Sequence, residues 1–310
     1  SVCVCICGFA PRSIKYTYES IQKNIIDPLN KHFNVDVFMF SLLSRNNIID
    51  VSEGRQGGMT KYKVNNDDIY LLHTTDTQTE YQEDVDDIIN LCEDNKYCEY
   101  IDLKKTQTKN FLRDLYQEEK CFRMIDNYKY DICVMLGPDF YITKQINIDE
   151  VFDCMSNDNI LYTTSYNDCG GIANKFYIGS INVMNKICTR KSIFNNWLEH
   201  EKNYYTKSNK IKITIFTIIF VMIISIISIT IYTSTKYLKF ITLFTVLLLL
   251  SIGSLITTNI IKVKATTNPE RFIQYTINTY NITRKKSDMF YLKIRSNGKS
   301  NWYINKMNNF

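Results

Sequence analysis

Two long apolar runs in the second half of the chain limit what it can fold into. Residues 211–261 read IKITIFTIIFVMIISIISITIYT, then STKYLK, then FITLFTVLLLLSIGSLITTNII, with no acidic or basic side chain between Ile213 and Thr235 or between Phe240 and Ile261. At about 1.5 Å per residue, a helix of roughly 20 residues spans a hydrocarbon core about 30 Å thick. The expectation is a transmembrane helical hairpin over residues 210–264, with spans near 213–235 and 240–261. The break Ser234–Lys239 is too short for a folded domain, so both flanks share one compartment. Lys207, Lys210, Lys212, Lys262 and Lys264 flank the hairpin, against Lys236 and Lys239 in its turn. The positive-inside rule then places the flanks in the cytosol. Ser225, Ser228, Thr230, Thr245, Ser251, Gly253 and Ser254 either let the two helices pack closely or bond to their own backbone. No charge falls in mid-membrane, so nothing suggests an ion path or proton relay.

Outside the hairpin, the 310-residue chain keeps roughly 250 residues, enough for one sizeable α/β domain. Residues 1–209 form its main part and residues 265–310 are expected to complete it. The formal charge of +5 and pI near 8.5 are modest, and the excess beside the hairpin suits lipid headgroups rather than nucleic acid. Of ten cysteines, Cys3, Cys5 and Cys7 alternate along a strand and read as small buried residues on one face. A metal reading of this C-x-C-x-C run lacks a nearby histidine. Cys92 and Cys98 bridge only in an oxidising compartment, and the lysine pattern favours a reducing one. Val2–Cys7 is too short, and lacks the basic start, for a cleavable signal peptide.

Val2–Cys7 is an apolar run closed by Gly8, as a buried parallel strand requires. Ile14, Tyr18, Ile21 and Ile25 mark the inner face of a following helix, and Val35–Phe40 a second strand, so a right-handed parallel crossover is expected. Residues 44–76 read as a polar loop. Helices follow over 80–92 and 108–127. The acidic cluster Glu83, Asp84, Asp86 and Asp87 is either a metal candidate or a solvated helix start that complements the dipole. Tyr130–Tyr141 is the most informative soluble stretch, because its apolar core Ile132–Leu136 runs straight into Gly137-Pro138-Asp139. A carboxylate just past the carboxyl end of a central strand lies where open α/β sheets bind ligands. Further strands are expected at 160–164 and 176–180, a helix over 181–200, a helix from Arg271 to about Tyr280, and a closing strand over 290–295.

Taken together, the opening strand with G-x-x-P-R-S, the VDVF strand, YD followed by an apolar strand and Pro-Asp, F-Y-I-G-S, Asn-Pro-Glu and I-R-S-N-G resemble the glycosyltransferase-like proteins of large DNA viruses of protists and of some algae. The resemblance covers most of residues 2–198 and resumes over 268–298. It implies a GT-A, Rossmann-like α/β fold with a mostly parallel sheet and flanking helices, interrupted here by the transmembrane hairpin. It also implies transfer of a sugar from a nucleotide sugar to an acceptor of unspecified kind, at a host or virion membrane.

By this resemblance Arg12 approaches the nucleotide diphosphate, although an arginine there serves equally as a sheet-edge ion-pair partner. Asp139 takes the place of the carboxylate that holds Mn²⁺ or Mg²⁺, ions that need hard oxygen ligands. Asp168 and Glu270 stand where a base or acceptor-orienting group sits, and either also suits a turn or a helix cap. The chain departs from the pattern twice: Gly137 replaces the basic residue before Pro-Asp, and the segment before Phe176 ends in Lys175 without an aspartate. These departures keep open an alternative, a catalytically inactive relative that serves as a membrane or virion component.

Overall fold

The computed structural model describes residues 1–52, 59–91, 106–126, 129–165, 171–172, 175–204, 268–298 and 300, with isolated positions 214, 218, 221 and 222. The chain divides into two compact units, one of residues 1–95, 103–194 and 267–310, the other of 96–102 and 195–266.

The first unit is built on strand β1 (Val2–Gly8), whose residues 2–6 are wholly buried. A strand buried on both faces carries no polar alternation, which is why this one reads as a continuous apolar run. After a 3₁₀ turn at Ala10–Arg12 the chain enters α1 (Ile14–Ile21), a π-turn (Gln22–Ile26) and α2 (Asp27–Asn30). It returns as β2 (Val35–Leu43), parallel to β1 with Val2 opposite Val35. Where a polar loop is expected, β3 (Ile48–Ser52) and β4 (Met59–Lys63) form an antiparallel ribbon, and β5 (Asp76–Tyr81) lies parallel to β2. Helices α3 (Gln82–Leu91) and α4 (Thr106–Arg123) lead to β6 (Ile132–Leu136), parallel to β1 on its other side.

Then come β7 (Phe140–Ile142), α5 (Ile148–Ser156), β8 (Ile160–Thr164), β9 (Phe176–Ser180) and α6 (Ile181–Cys188). Helix α7 (Pro269–Thr279), β10 (Thr283–Ser287) and β11 (Tyr291–Lys293) complete the unit. The main sheet has seven strands in the order β10-β8-β9-β6-β1-β2-β5. Every pairing is parallel except those of β9, which runs against both β6 and β8. The expected α/β fold with a mostly parallel sheet and flanking helices is therefore present.

The two faces of the sheet bury different chemistry. Val2, Val4 and Ile6 join Ile132, Val134 and Leu136 beneath Ile14, Ile21, Ile25 and Leu29 of the first helical segment. The opposite face carries Cys3, Cys5 and Cys133, whose sulfurs lie within 4.8 Å of one another, and all three side chains are fully buried. Cys121 of α4 donates towards the Ile6 carbonyl on this face, and Cys188 of α6 meets the Met135 sulfur at 3.7 Å. The thiols are thus core residues at successive same-face positions, as their alternation implies. The seven cysteines among the described residues are free thiols, and Cys92 and Cys98 lie outside them.

Two further expectations need correction. The helix expected over 181–200 stops at Cys188, and a 3₁₀ turn, Arg190–Ile193, redirects the chain before helical backbone resumes. The strand that extends the main sheet after α7 is the polar Thr283–Ser287 on β8, whereas Tyr291–Lys293 pairs with β7 in a separate ribbon. The acidic cluster does open α3, with Glu83 and Asp84 in its first turn, and it also meets cations, Arg45 forked onto Asp84 at 2.6 and 2.8 Å and Arg113 onto Asp86 at 2.7 and 2.5 Å.

In the second unit, residues 195–204 are helical. Positions 214, 218, 221 and 222 are also helical, and Ile218, Val221 and Met222 are about half exposed, at 51%, 55% and 53%. Among the described residues no helix is long and apolar enough to cross a membrane, and the rest of the expected hairpin over 210–264 lies outside them.

One close approach fixes the loops that end β1 and β6. A Cβ added to Gly8 stands 2.5 Å from Cδ and 2.8 Å from Cγ of Pro138, so only glycine lets the two strand ends meet. Gly8→Ala is expected to cost about 1–3 kcal/mol by overpacking. A urea melt checks this, and an unchanged midpoint contradicts it.

Candidate functional site

The order of the sheet determines where its strand ends leave a crevice. From β1 the chain builds outward through β2 and β5, and it then returns to add β6 on the opposite side of β1. Strand order therefore reverses at β1, and such a switch point at the carboxyl ends is where open α/β sheets take ligands. A pocket of about 300 Å³ lies there, floored by Gly8, Phe9 and Pro138 and walled by side chains of α4, β3 and the segment around β11. That volume falls at the lower end of the range for small-molecule sites, about 300–1,000 Å³.

Arg12 and Asp139 are brought together here, as their places after β1 and β6 require. The Arg12 Nη2 donates to Asp139 Oδ2 at 3.0 Å, and Lys293 Nζ approaches the same oxygen at 3.5 Å. Thr17 secures the turn by donating from Oγ1 to the Pro138 carbonyl at 2.6 Å. A Cβ on Gly137 falls 2.9 Å from Asp139 Oδ1, so a side chain there has to displace that carboxylate. Cations from elsewhere in the chain reach Asp139, although no basic residue precedes Pro138. Lys293 sits opposite Phe140 in the β7–β11 ribbon, the Ile294 amide donates to the Asp139 carbonyl at 2.8 Å, and the Phe140 and Tyr291 rings stack.

Lys175 enters from just before β9 with φ at +78°, a left-handed conformation that costs a non-glycine residue about 1–2 kcal/mol. Its ammonium contacts Asp114 of α4 at 2.7 Å. With Arg113 and Arg295, the lining holds five cations, against three carboxylates, Asp50, Asp114 and Asp139. Arg113 is already forked onto Asp86, outside the lining, so the remaining excess is one positive charge, and it shows in the titration of the site. Burial pushes the Asp139 carboxyl up, but Lys293, Arg12, Lys175 and Arg295 outweigh burial and hold it at about 2. Asp139 favours the proton on Lys293, yet desolvation and the neighbouring Lys175, Arg295 and Arg12 together pull that lysine below its ordinary value.

The sign of the Asp139 shift makes a prediction. A carboxylate whose pKa is depressed on folding stabilises the fold above its unfolded value near 3.8, and loses that contribution as pH falls through about 2. Asp139→Asn is expected to be less stable than the parent by about 2 kcal/mol at neutral pH. The gap closes between about pH 4 and pH 2, measured by denaturant melts across that range; a gap independent of pH rules out the electrostatic origin.

Of the other expected site residues, Glu270 is not gathered here. Glu270 lies in the first turn of α7, outside the pocket lining, where Asn268 caps the helix by accepting from the Arg271 amide at 3.0 Å. The Glu270 backbone carbonyl receives the Ile172 amide at 2.9 Å, and a Cβ on Gly171 meets that backbone at 2.2 Å. Asp168 lies outside the described residues. Sequence reasoning missed Asp50, Asp114, Lys175, Lys293 and Arg295. Lys293 and Arg295 left a usable signal, two cations at i and i+2 on an expected strand and so on one face.

The described residues do not fit a divalent cation. Mg²⁺ demands near-octahedral oxygen coordination, and Mn²⁺ likewise favours oxygen ligands. Asp139 offers a carboxylate already facing two cations, and Asp114 is held by Lys175. Among the described residues, the one group of three metal-ligand side chains close enough to share an ion is the buried Cys3, Cys5 and Cys133.

No family model matches this chain, and no curated protein matches it.

Proposed function

We propose that the pocket binds a nucleotide sugar through its diphosphate, and that the chain is a membrane-attached, glycosyltransferase-like protein of the GT-A type. The observation that carries the reading is the surplus of positive charge at the β1–β6 switch point, which suits a phosphorylated ligand. Arginine pairs bidentately with phosphate oxygens and lysine contributes point charge, so Arg12 and Lys293 are the first diphosphate contacts. Asp50 is solvent-exposed on the pocket wall, and in this reading it orients the acceptor hydroxyl. Membrane attachment rests on the two uncharged apolar runs and on the exposure of Ile218, Val221 and Met222.

A second reading, a nucleotide-sugar-binding relative that transfers nothing, is favoured by one feature. Asp114 and Asp139, two of the three pocket carboxylates, are already neutralised by lysine or arginine. Titration calorimetry of the full detergent-solubilised chain against UDP- and GDP-sugars tests binding, and release of nucleoside diphosphate with a panel of acceptors tests transfer. Binding with turnover supports the enzyme, binding without turnover supports the second reading, and no binding removes both.

A further inference from the structure

We infer that the pocket holds its diphosphate without a divalent cation, the side chains of Arg12, Lys175, Lys293 and Arg295 supplying the positive charge and Asp139 serving as their counter-ion. This rests on the reading of the pocket as a diphosphate site and departs from the metal-assisted chemistry that the family resemblance implies. Three features of the site lead to it.

First, the carboxylate in the metal-holding place is the most heavily neutralised group in the pocket. A metal ion reaching Asp139 Oδ2 meets Arg12 at 3.0 Å and Lys293 at 3.5 Å already there. Like charges in so small a space repel strongly, and of the other two carboxylates in the described lining Asp114 is held by Lys175, which leaves Asp50 alone to offset them. Second, the cations arrive from three separate parts of the chain: the turn after β1, the residue before β9, and β11 with the residues just past it. Lys175 is held there in a left-handed backbone conformation. A strained residue kept in a ligand pocket marks a position retained for its side chain. Third, Arg12 retains donor capacity, for its Nε is buried and makes no hydrogen bond within the protein. A phosphate oxygen accepts from that donor once the side chain turns it toward the pocket, and a metal ion cannot.

Asp139 then has a definite part to play. In the empty pocket it keeps Arg12 and Lys293 together, and a diphosphate competes with it for the same donors. The metal-assisted and metal-free arrangements therefore predict opposite effects of removing its charge.

The test uses inorganic pyrophosphate as the probe and the full chain in detergent, with calorimetry in excess EDTA and again with Mn²⁺. Metal-free holding predicts binding in EDTA that Mn²⁺ does not strengthen. Lys293→Met weakens it by about tenfold or more, Lys293→Arg largely restores it, and Asp139→Asn leaves it intact or tighter. Circular dichroism confirms that each variant is folded, and the arginine variant keeps the outcome readable should the methionine variant unfold. Pyrophosphate binding that appears only with Mn²⁺, or that Asp139→Asn abolishes in a folded protein, overturns the inference and leaves the nucleotide-sugar reading standing. Pyrophosphate binding in EDTA without any affinity for nucleotide sugars supports the inference and overturns that reading. No binding of either probe under either condition overturns both.

Discussion

A chain ending at Lys207 is expected not to fold, although it retains nine of the eleven strands found among the described residues. The lost segment supplies Phe272 and Ile273 at 0% exposure, Met289 at 1%, Ile277 at 5% and Tyr291 at 7%. Each such side chain contributes about 1.5–3 kcal/mol on burial, so the five together approach the whole stability of a domain, about 5–15 kcal/mol. Their partners stay behind exposed. Phe111 and Phe194 lose the Phe272 ring that meets them edge-on at 6.0 and 5.5 Å, and Phe140 loses its stack on Tyr291. Glu150 of α5 is also left without the Ser287 hydroxyl at 2.6 Å and the Asp288 amide at 3.2 Å. The measurement is cooperative unfolding by circular dichroism together with limited proteolysis. A truncated chain that melts like the parent contradicts the prediction.

The strands legible in the sequence are those whose burial leaves a one-sided record. β1 and β6 are apolar throughout because both faces are covered, and β2 was announced by the buried Val37–Phe40, its Asp36 lying at the partly exposed start where it meets Lys129 and Tyr130. The two edges of the sheet were illegible. β5 reads Asp-Thr-Gln-Thr-Glu-Tyr and β10 reads Thr-Arg-Lys-Lys-Ser, compositions that resemble loops. Edge strands are kept charged because an exposed apolar edge invites pairing with other chains. In β10 the charges are also engaged, with Lys285 on Asp153 at 2.6 Å and Arg284 donating to Thr163 Oγ1 at 2.8 Å.

The site divides in the same way. Arg12 and Asp139 were legible because a general rule ties function to the loops after central strands. Lys175 and Lys293 lie 163 and 281 positions from Arg12 by their numbering, and only the completed sheet and the β7–β11 ribbon bring them to it. Arg190 was illegible for another reason. On an uninterrupted helix an arginine is expected to reach solvent, whereas the break after Cys188 turns this one inward.

That inward arginine gives the largest expected effect of a single substitution. Arg190 and Glu118 form an ion pair with side-chain exposures of 1% and 2%, and Arg190 Nη1 also donates to the Ile187 carbonyl at 2.6 Å. Burial opposes the charge on Arg190, but the Glu118 carboxylate outweighs it and keeps the guanidinium protonated at any working pH. Arg190→Leu leaves Glu118 buried without its counter-charge, and breaking a buried pair from one side costs about 3–5 kcal/mol. The neighbours sharpen the penalty, for Tyr177 and Cys188 are buried beside the pair and offer no cation. Replacing both partners removes the stranded charge, so Glu118→Leu with Arg190→Leu is expected to be markedly more stable than Arg190→Leu alone. Chemical denaturation of the parent, both single variants and the double variant closes the cycle. Additive losses in that cycle mean that the pair is not coupled, and the connection between α4 and the turn after α6 must then rest on apolar packing alone.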